Sequence, residues 1–327
     1  MKGDELLKVA LVGIFPSGTY ELFEQLLPKD LFEIEIVDTK EKYEDLTDAD
    51  VLVLRLFKIS KEDIERVKNL KLIQKWGAGY DTIDIEAAGK KGIIVSNTPG
   101  ANAYAVSEIA VLQMLAVYRN LVVQDSAMRQ GIWTKTVYTD RSYCILDKVV
   151  GLVGCGNIGR DVARKVQAFG ATVQYYDMFR MNPEDEVRLN MRYVEMDELF
   201  RTSDIVSLHL PLNDQTKHIV NKEKLKLMKP TAIIVNTSRG GIINEEDLME
   251  ALNHKQILGA GLDCIENEPI VLGDPILKAP NITLTPHIGG TSADLLGHMV
   301  PKMAENILAF KNNGQAKYIV NHHFMTE

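Results

Sequence analysis

Short apolar runs separated by amphipathic, helix-length segments recur along this 327-residue chain. In the first third they are Val9 to Gly13, Phe32 to Val37, Val51 to Leu54, Leu72 to Gln74 and Ile93 to Val95. Helix-like stretches stand between them, at Tyr20 to Leu27 and Lys61 to Val67. A strand buried on both faces is apolar at every position, as Val51-Leu52-Val53-Leu54 is, and alternation of such strands with helices predicts parallel sheets covered on both faces. The turn signal Asn97-Thr98-Pro99-Gly100 interrupts the series. Beyond it, Ala105 to Val123 reads as one long, nearly uncharged helix, which must be buried against another element or another subunit.

A second alternation follows, with strands expected at Val149 to Val153, Thr172 to Tyr176, Ile205 to Leu208, Ala232 to Asn236, Gly259 to Leu262 and Ile282 to Leu284. Thr291 to Lys311 reads as a closing helix. The fold class expected is α/β, with two parallel-sheet domains. If the last helix crosses back, the first domain is discontinuous, built from 1–100 and 292–327 around a second domain of 101–291.

Composition narrows the partners. The net charge is −8, from 37 Lys and Arg against 45 Asp and Glu, so the chain as a whole repels phosphate lattices, and neither nucleic acid nor membrane is expected as a partner. No apolar run approaches the ~20 residues that cross a bilayer. The charged start Met1-Lys2-Gly3-Asp4-Glu5 does not read as a signal peptide. Three cysteines without a Cys-x-x-Cys pair fit a reducing cytoplasm, provide no metal site, and read as small buried apolar residues.

Gly154-Cys155-Gly156-Asn157-Ile158-Gly159 is Gly-x-Gly-x-x-Gly, placed after an apolar strand and opening a helix with Val162, Val166 and Phe169 on one face. In that setting the first glycine makes the turn, the second admits a pyrophosphate to the backbone, and the third brings helix against strand. The next strand ends at Asp177, 18 residues after Gly159. An acid there accepts from an adenosine ribose 2′-hydroxyl and repels a 2′-phosphate, so NAD is favoured over NADP. Arg180, close by, reads as solvated. A methyltransferase loop is the nearest alternative, and the third glycine counts against it.

Polar clusters follow three later strands: Asn236 to Gly241, Glu266-Asn267-Glu268-Pro269, and Pro286-His287-Ile288-Gly289-Gly290. Ligands in open α/β sheets bind at the carboxyl ends of strands. Converging there, an Arg, a Glu (Glu266 or Glu268) and a His would suit reduction of a ketone beside a carboxylate. His supplies the proton, a carboxylate orients the His, and Arg holds the substrate oxygens in a planar fork.

These motifs, with His209-Leu210-Pro211-Leu212, Asp263, the segment Gly77-Ala78-Gly79-Tyr80-Asp81-Thr82-Ile83-Asp84 and Asn97 to Asn102, occur in order over nearly the whole chain. The chain resembles the D-isomer-specific 2-hydroxyacid dehydrogenases, in their short, phosphoglycerate, glyoxylate or hydroxypyruvate reductase-like form. The resemblance implies a flavodoxin-like substrate domain made from both chain ends, a Rossmann NAD-binding domain, a cleft between them, and a homodimer. It implies Arg239, Glu268 and His287 as catalytic. Ala78, Gly79 and Arg55 would bind a small anionic 2-keto or 2-hydroxy acid. Gly154, Gly156, Asn157, Ile158, Gly159, Asp177, His209, Pro211, Thr216, Thr237, Ser238, Asp263 and Gly290 would hold NAD.

Some features depart from the family pattern. Cys155 stands where a larger aliphatic residue is frequent, Asp147 where glycine is commoner, and Lys75-Trp76 is bulky for its loop. Trp76 and Trp133 are expected to pack. No regulatory module is expected after His322. Two alternatives stay open on this scaffold: phosphite or formate oxidation, and an NAD-sensing interaction protein of the C-terminal binding protein kind.

Overall fold

The computed structural model describes residues 6–325, which divide into two compact units, 6–102 with 291–325, and Ala103–Gly290. The first unit alternates β1 (Leu7–Val12), α1 (Thr19–Leu26), β2 (Phe32–Val37), α2 (Lys40–Asp45) and β3 (Val51–Leu54). It continues through α3 (Lys61–Arg66), β4 (Leu72–Lys75), α4 (Ile85–Lys90) and β5 (Ile94–Ser96). All its strand pairs are parallel, in the order β2-β1-β3-β4-β5, the flavodoxin-like winding. Val51, Leu52, Val53 and Leu54 are all buried, as a central strand covered on both faces requires.

The second unit opens with α5 (Ala103–Tyr118) and α6 (Leu121–Arg129), followed by β6 (Val149–Val153), α7 (Asn157–Ala168) and β7 (Thr172–Tyr176). Then come α8 (Pro183–Leu189), β8 (Met191–Tyr193), α9 (Met196–Thr202), β9 (Ile205–Leu208), α10 (Lys222–Leu227) and β10 (Ile233–Asn236). The series ends with α11 (Glu245–Asn253), β11 (Gly259–Leu262) and β12 (Ile282–Leu284). The seven-stranded parallel sheet runs β12-β11-β10-β9-β6-β7-β8, so its order reverses between β6 and β9, where a doubly wound sheet leaves a crevice. One apolar cluster, with Met114, Val150, Val162 and Tyr175, lies on one face; another, with Phe200, Val206, Ile234 and Leu248, lies on the other.

The expected single helix from Ala105 to Val123 is two. Asn120 takes a left-handed conformation (φ 52°), and its side-chain amide donates to the Arg141 carbonyl and Ser142 Oγ, both at 3.2 Å. The pair bends by 65° at that point. α5 is buried, whereas α6 carries no buried residue and shows Leu121, Val122, Val123 and Met128 at its surface. Trp133, expected to pack, is 73% exposed, and Cys144, expected to be buried, is exposed. No single helix among the described residues is long and apolar enough to cross a membrane. Asp147 sits at φ 62°, which accounts for glycine being commoner there.

The closing helix α12 (Leu296–Asn313) returns to the first unit through a polar seam. Asn306, 3% exposed, donates to Gln74 Oε1 (2.6 Å) and Ser96 Oγ (2.8 Å) and accepts from the Lys317 amide (2.5 Å). Asn321, fully buried, accepts from the Val95 amide at 2.9 Å and donates to the Ile93 carbonyl at 2.8 Å. Buried amides are costly to leave unpaired, so these side chains hold the C-terminal segment in place. Asn306→Ala strands Gln74 Oε1 and the Lys317 amide, and is expected to lower stability by about 1–3 kcal/mol. Denaturant unfolding should show a lower midpoint with an unchanged slope.

Candidate active site

The switch of strand order sets where ligands meet the second unit. β6 ends at Gly154, whose φ of 95° suits glycine and whose added Cβ would stand 2.7 Å from the His209 carbonyl oxygen. A Cβ on Gly159 would stand 2.5 Å from the Gly154 oxygen. The protein's own packing thus requires both glycines. Gly156 is different: its φ is −75°, and a Cβ there meets nothing within 4 Å. The backbone is open at that position, at the start of α7, which has no side-chain cap. Uncapped amides at a helix start, beside a cradle that a side chain would fill, fit a pyrophosphate.

Asp177 follows β7. Its Oδ2 accepts from the Cys155 amide (2.7 Å) and its Oδ1 from the Phe179 amide (2.9 Å). Each oxygen retains a lone pair for a hydroxyl donor. Arg180 is exposed, as expected, its side chain 57% accessible, and it bonds both oxygens of Glu186 (2.8 and 3.1 Å) and lies over the Tyr193 ring. Across the switch, His209 ends β9. Its Nε2 pairs with Ser207 Oγ at 3.0 Å, while Nδ1 is buried without a partner, and burial pushes the imidazole down to about 4. It is therefore neutral. Thr237 Oγ1, after β10, is another buried group lacking a partner, so two polar atoms at neighbouring strand ends await a ligand. Thr216 is occupied internally, its hydroxyl accepting from Asn213 N and donating to the Pro211 carbonyl.

The polar trio lies at the ends of β10, β11 and β12. Asn236 shapes the first turn, accepting from Ser238 N and Oγ (3.0 and 2.7 Å) and donating to the Arg239 carbonyl (2.8 Å). The half-buried Arg239 donates to the Ser238 carbonyl at 2.7 Å. The loop after β12 is held by Asp263, 2% exposed. Its carboxylate accepts from Thr285 Oγ1 (2.6 Å), Ile288 N (2.9 Å) and Gly289 N (2.7 Å). His287 is held there at φ 52°, its amide donating to the Asp263 carbonyl at 2.8 Å. Gln113 of α5 supports Thr285 through a 2.9 Å bond.

His287 Nδ1 and Glu268 Oε2 are 2.8 Å apart, with the two side chains 43% and 38% exposed. The hydrogen bond to Glu268 raises the His287 pKa above its ordinary value, against burial and the positive charge of Arg239. For Glu268, burial acts upward, but the bond and charge of His287, the Ile265 amide and Arg239 together hold it below the usual carboxylate range. The two shifts favour the charged forms of both partners, and the bond occupies Nδ1 of the ring, not Nε2.

In the first unit, Arg55 follows β3. It donates to the Ile14 carbonyl and lies 5.9 Å from the centre of the Trp76 ring. Ala78 and Gly79 follow β4 in a loop tied by Gly77 N to Thr98 Oγ1 (2.8 Å) and by Asn97 Nδ2 to the Ala78 carbonyl (2.7 Å). Sequence reasoning missed Thr285, which bonds Asp263, and Gln113, which bonds Thr285; no motif or period marks them.

Comparison with known proteins bears on this arrangement. Residues 111–289 match the profile of the D-isomer specific 2-hydroxyacid dehydrogenase NAD binding domain. The chain is 37% identical to a glyoxylate reductase of Korarchaeum cryptofilum, over 94% of this chain and 93% of that protein. It is 39% identical to a hydroxypyruvate reductase of Thermotoga maritima, over 90% and 95%. Among solved structures, a glyoxylate reductase from Paecilomyes thermophila superposes with a TM-score of 0.82 at 31% identity, covering 96% of this chain and 98% of the other.

The glycine geometry separates folding from binding. Gly156→Val should leave the thermal midpoint unchanged and weaken NADH binding by roughly tenfold or more, since the side chain fills only the phosphate cradle. Fluorescence titration beside thermal unfolding checks both halves.

Proposed function

Because the chain belongs to the D-isomer specific 2-hydroxyacid dehydrogenase family, we propose that it interconverts a small 2-keto acid and the corresponding D-2-hydroxy acid, with NAD as cofactor. The observation that carries this reading is the 2.8 Å His287–Glu268 pair, set beyond the carboxyl ends of a dinucleotide-binding sheet. The relatives named for glyoxylate and hydroxypyruvate support a substrate of two or three carbons.

Gly154, Gly156, Asn157, Ile158 and Gly159 would receive the pyrophosphate, and Asp177 the ribose. His209, Pro211, Thr216, Thr237, Ser238, Asp263 and Gly290 would line the rest of the cofactor site. The cofactor, when bound, supplies the hydride chemistry. Arg239 would grip the substrate carboxylate and carbonyl oxygens, its fork matching their plane. His287 Nε2 would deliver a proton to the oxygen that becomes the hydroxyl, and accept one in the oxidative direction. Glu268 holds the Nδ1 proton in place and favours the charged ring. Ala78, Gly79 and Arg55 are proposed as further substrate-binding residues.

The functional unit proposed is a homodimer in the cytoplasm. Its support is the apolar surface of α6 with Ile132, Trp133 and Val137, all exposed, and three free cysteines.

The direct test is turnover of a keto-acid panel with NADH and with NADPH. Glyoxylate or hydroxypyruvate should lead, with NADH preferred, and Asp177→Ser should erode that preference by removing the ribose acceptor. No turnover with any keto acid, while NADH binds, would overturn the reading in favour of a cofactor-sensing partner protein.

A second prediction concerns pH. His287 must be protonated to act as an acid, and its pKa is raised. The kcat/KM for reduction should therefore be flat at low pH and fall as pH rises through a midpoint above the ordinary histidine value. Glu268→Gln removes the main upward influence and should move that midpoint down. His287→Ala should lose about 10²–10⁴ in kcat while NADH affinity persists.

A further inference from the structure

Glu268 lies on a loop that its own packing does not hold. From Glu266 to Gly273 every residue is exposed, including Val271 at 66% and Leu272 at 102%. The orientation of the Glu268 carboxylate must therefore come from the loop's beginning. Ile265 packs against the apolar cluster beneath, and its amide donates to Glu268 Oε1 at 3.2 Å. Gly240 presses against the same backbone: a Cβ there would stand 1.9 Å from the Ile265 carbonyl carbon.

Beside this contact the loop is clasped to the start of α11. The Glu266 amide donates to Glu245 Oε1 at 2.7 Å, and the Glu245 amide donates to Glu266 Oε1 at 3.3 Å. His218 Nε2 meets the same Glu266 oxygen at 2.8 Å. The clasp brings two carboxylates together, and Glu245 forms no ion pair among the described residues. Burial pushes the Glu245 carboxyl up, and the negative charges of Glu266, Asp274 and Glu268 add to it. Such a placement is unfavourable in itself, so the acceptor that Glu245 offers the loop must be worth its cost.

We infer that Glu245 is a positioning residue: by holding the Glu266 amide it fixes the Ile265–Glu268 turn, and so sets the Glu268 carboxylate against His287 Nδ1. The inference rests on the proposed roles of Glu268 and His287 and adds a residue outside their motifs. A loosened turn weakens the Glu268–His287 bond, and the ring then loses its proton at lower pH. The charged groups acting on His287 are Glu268, Arg239 and Asp263, and Glu245 reaches it only through the loop.

The experiment compares Glu245→Ala and Glu245→Gln in the full chain, reading the pH profile of kcat/KM for keto-acid reduction, kcat, NADH affinity and the thermal midpoint. Glutamine keeps an acceptor oxygen for the Glu266 amide and removes the charge. Alanine should lower kcat about tenfold, the worth of one buried hydrogen bond. It should also move the pH midpoint down toward that of Glu268→Gln, with NADH affinity unchanged. Glutamine should restore both kcat and the midpoint. A wild-type midpoint in Glu245→Ala, whatever its thermal stability, overturns the inference, and so does an equal shift in both variants, which would be a charge effect. If Glu268→Gln itself leaves the midpoint unmoved, it is the pairing of Glu268 with His287 that fails.

Discussion

The buried carboxylate of Asp263 holds the chemistry of the second unit together. At 2% exposure it ends β11 and accepts from Thr285, Ile288 and Gly289 in the loop that follows β12. A buried anion is tolerable only when hydrogen bonds replace its water, and here three donors from one loop do so. The result is geometric. His287, inside that loop at a left-handed φ, is aimed by a backbone that cannot relax without stranding a charge. Gly289 follows from the same constraint, since a Cβ there would stand 2.8 Å from Asp263 Oδ2.

Around that fixed histidine the site is tuned by two opposing charges. Glu268 draws the proton onto the ring and Arg239 opposes it. The balance raises the pKa of the ring above its ordinary value, and the proposed roles of acid and substrate-binding cation rest on that arrangement. His209, at the neighbouring strand end, is the counterexample: buried and without a carboxylate, it stays neutral. Two histidines of the same chemistry thus shift in opposite directions because one has an acid partner and the other has only the protein interior.

Much of this was legible in the sequence, for identifiable reasons. Buried parallel strands are continuous apolar runs, so β3, β6 and β9 fall where the runs do, while the edge strand β2 shows instead as alternating Phe32-Glu33-Ile34-Glu35-Ile36-Val37. β8 was invisible, because three residues containing Arg192 make no pattern. The helix break at Asn120 was hidden because apolar residues continue through Leu121-Val122-Val123, and only Asn120's bonds to Arg141 and Ser142 reveal the turn. Trp133 and Cys144 were misplaced because residue type is a weak guide to burial on a surface that another chain could cover.

The sequence alone determined the α/β alternation and the Gly154–Gly159 cradle with its acid, because each is a local pattern of residue types whose spacing carries its physics, and the resemblance of its ordered motifs put forward Arg239, Glu268 and His287 as the proposed trio. Only the tertiary structure decided which glycine is left open, which histidine has a carboxylate partner, and which loops Asp263 and Glu245 bond. Those depend on atoms brought together from distant parts of the chain, and hydrogen bonds between segments leave no period in the sequence.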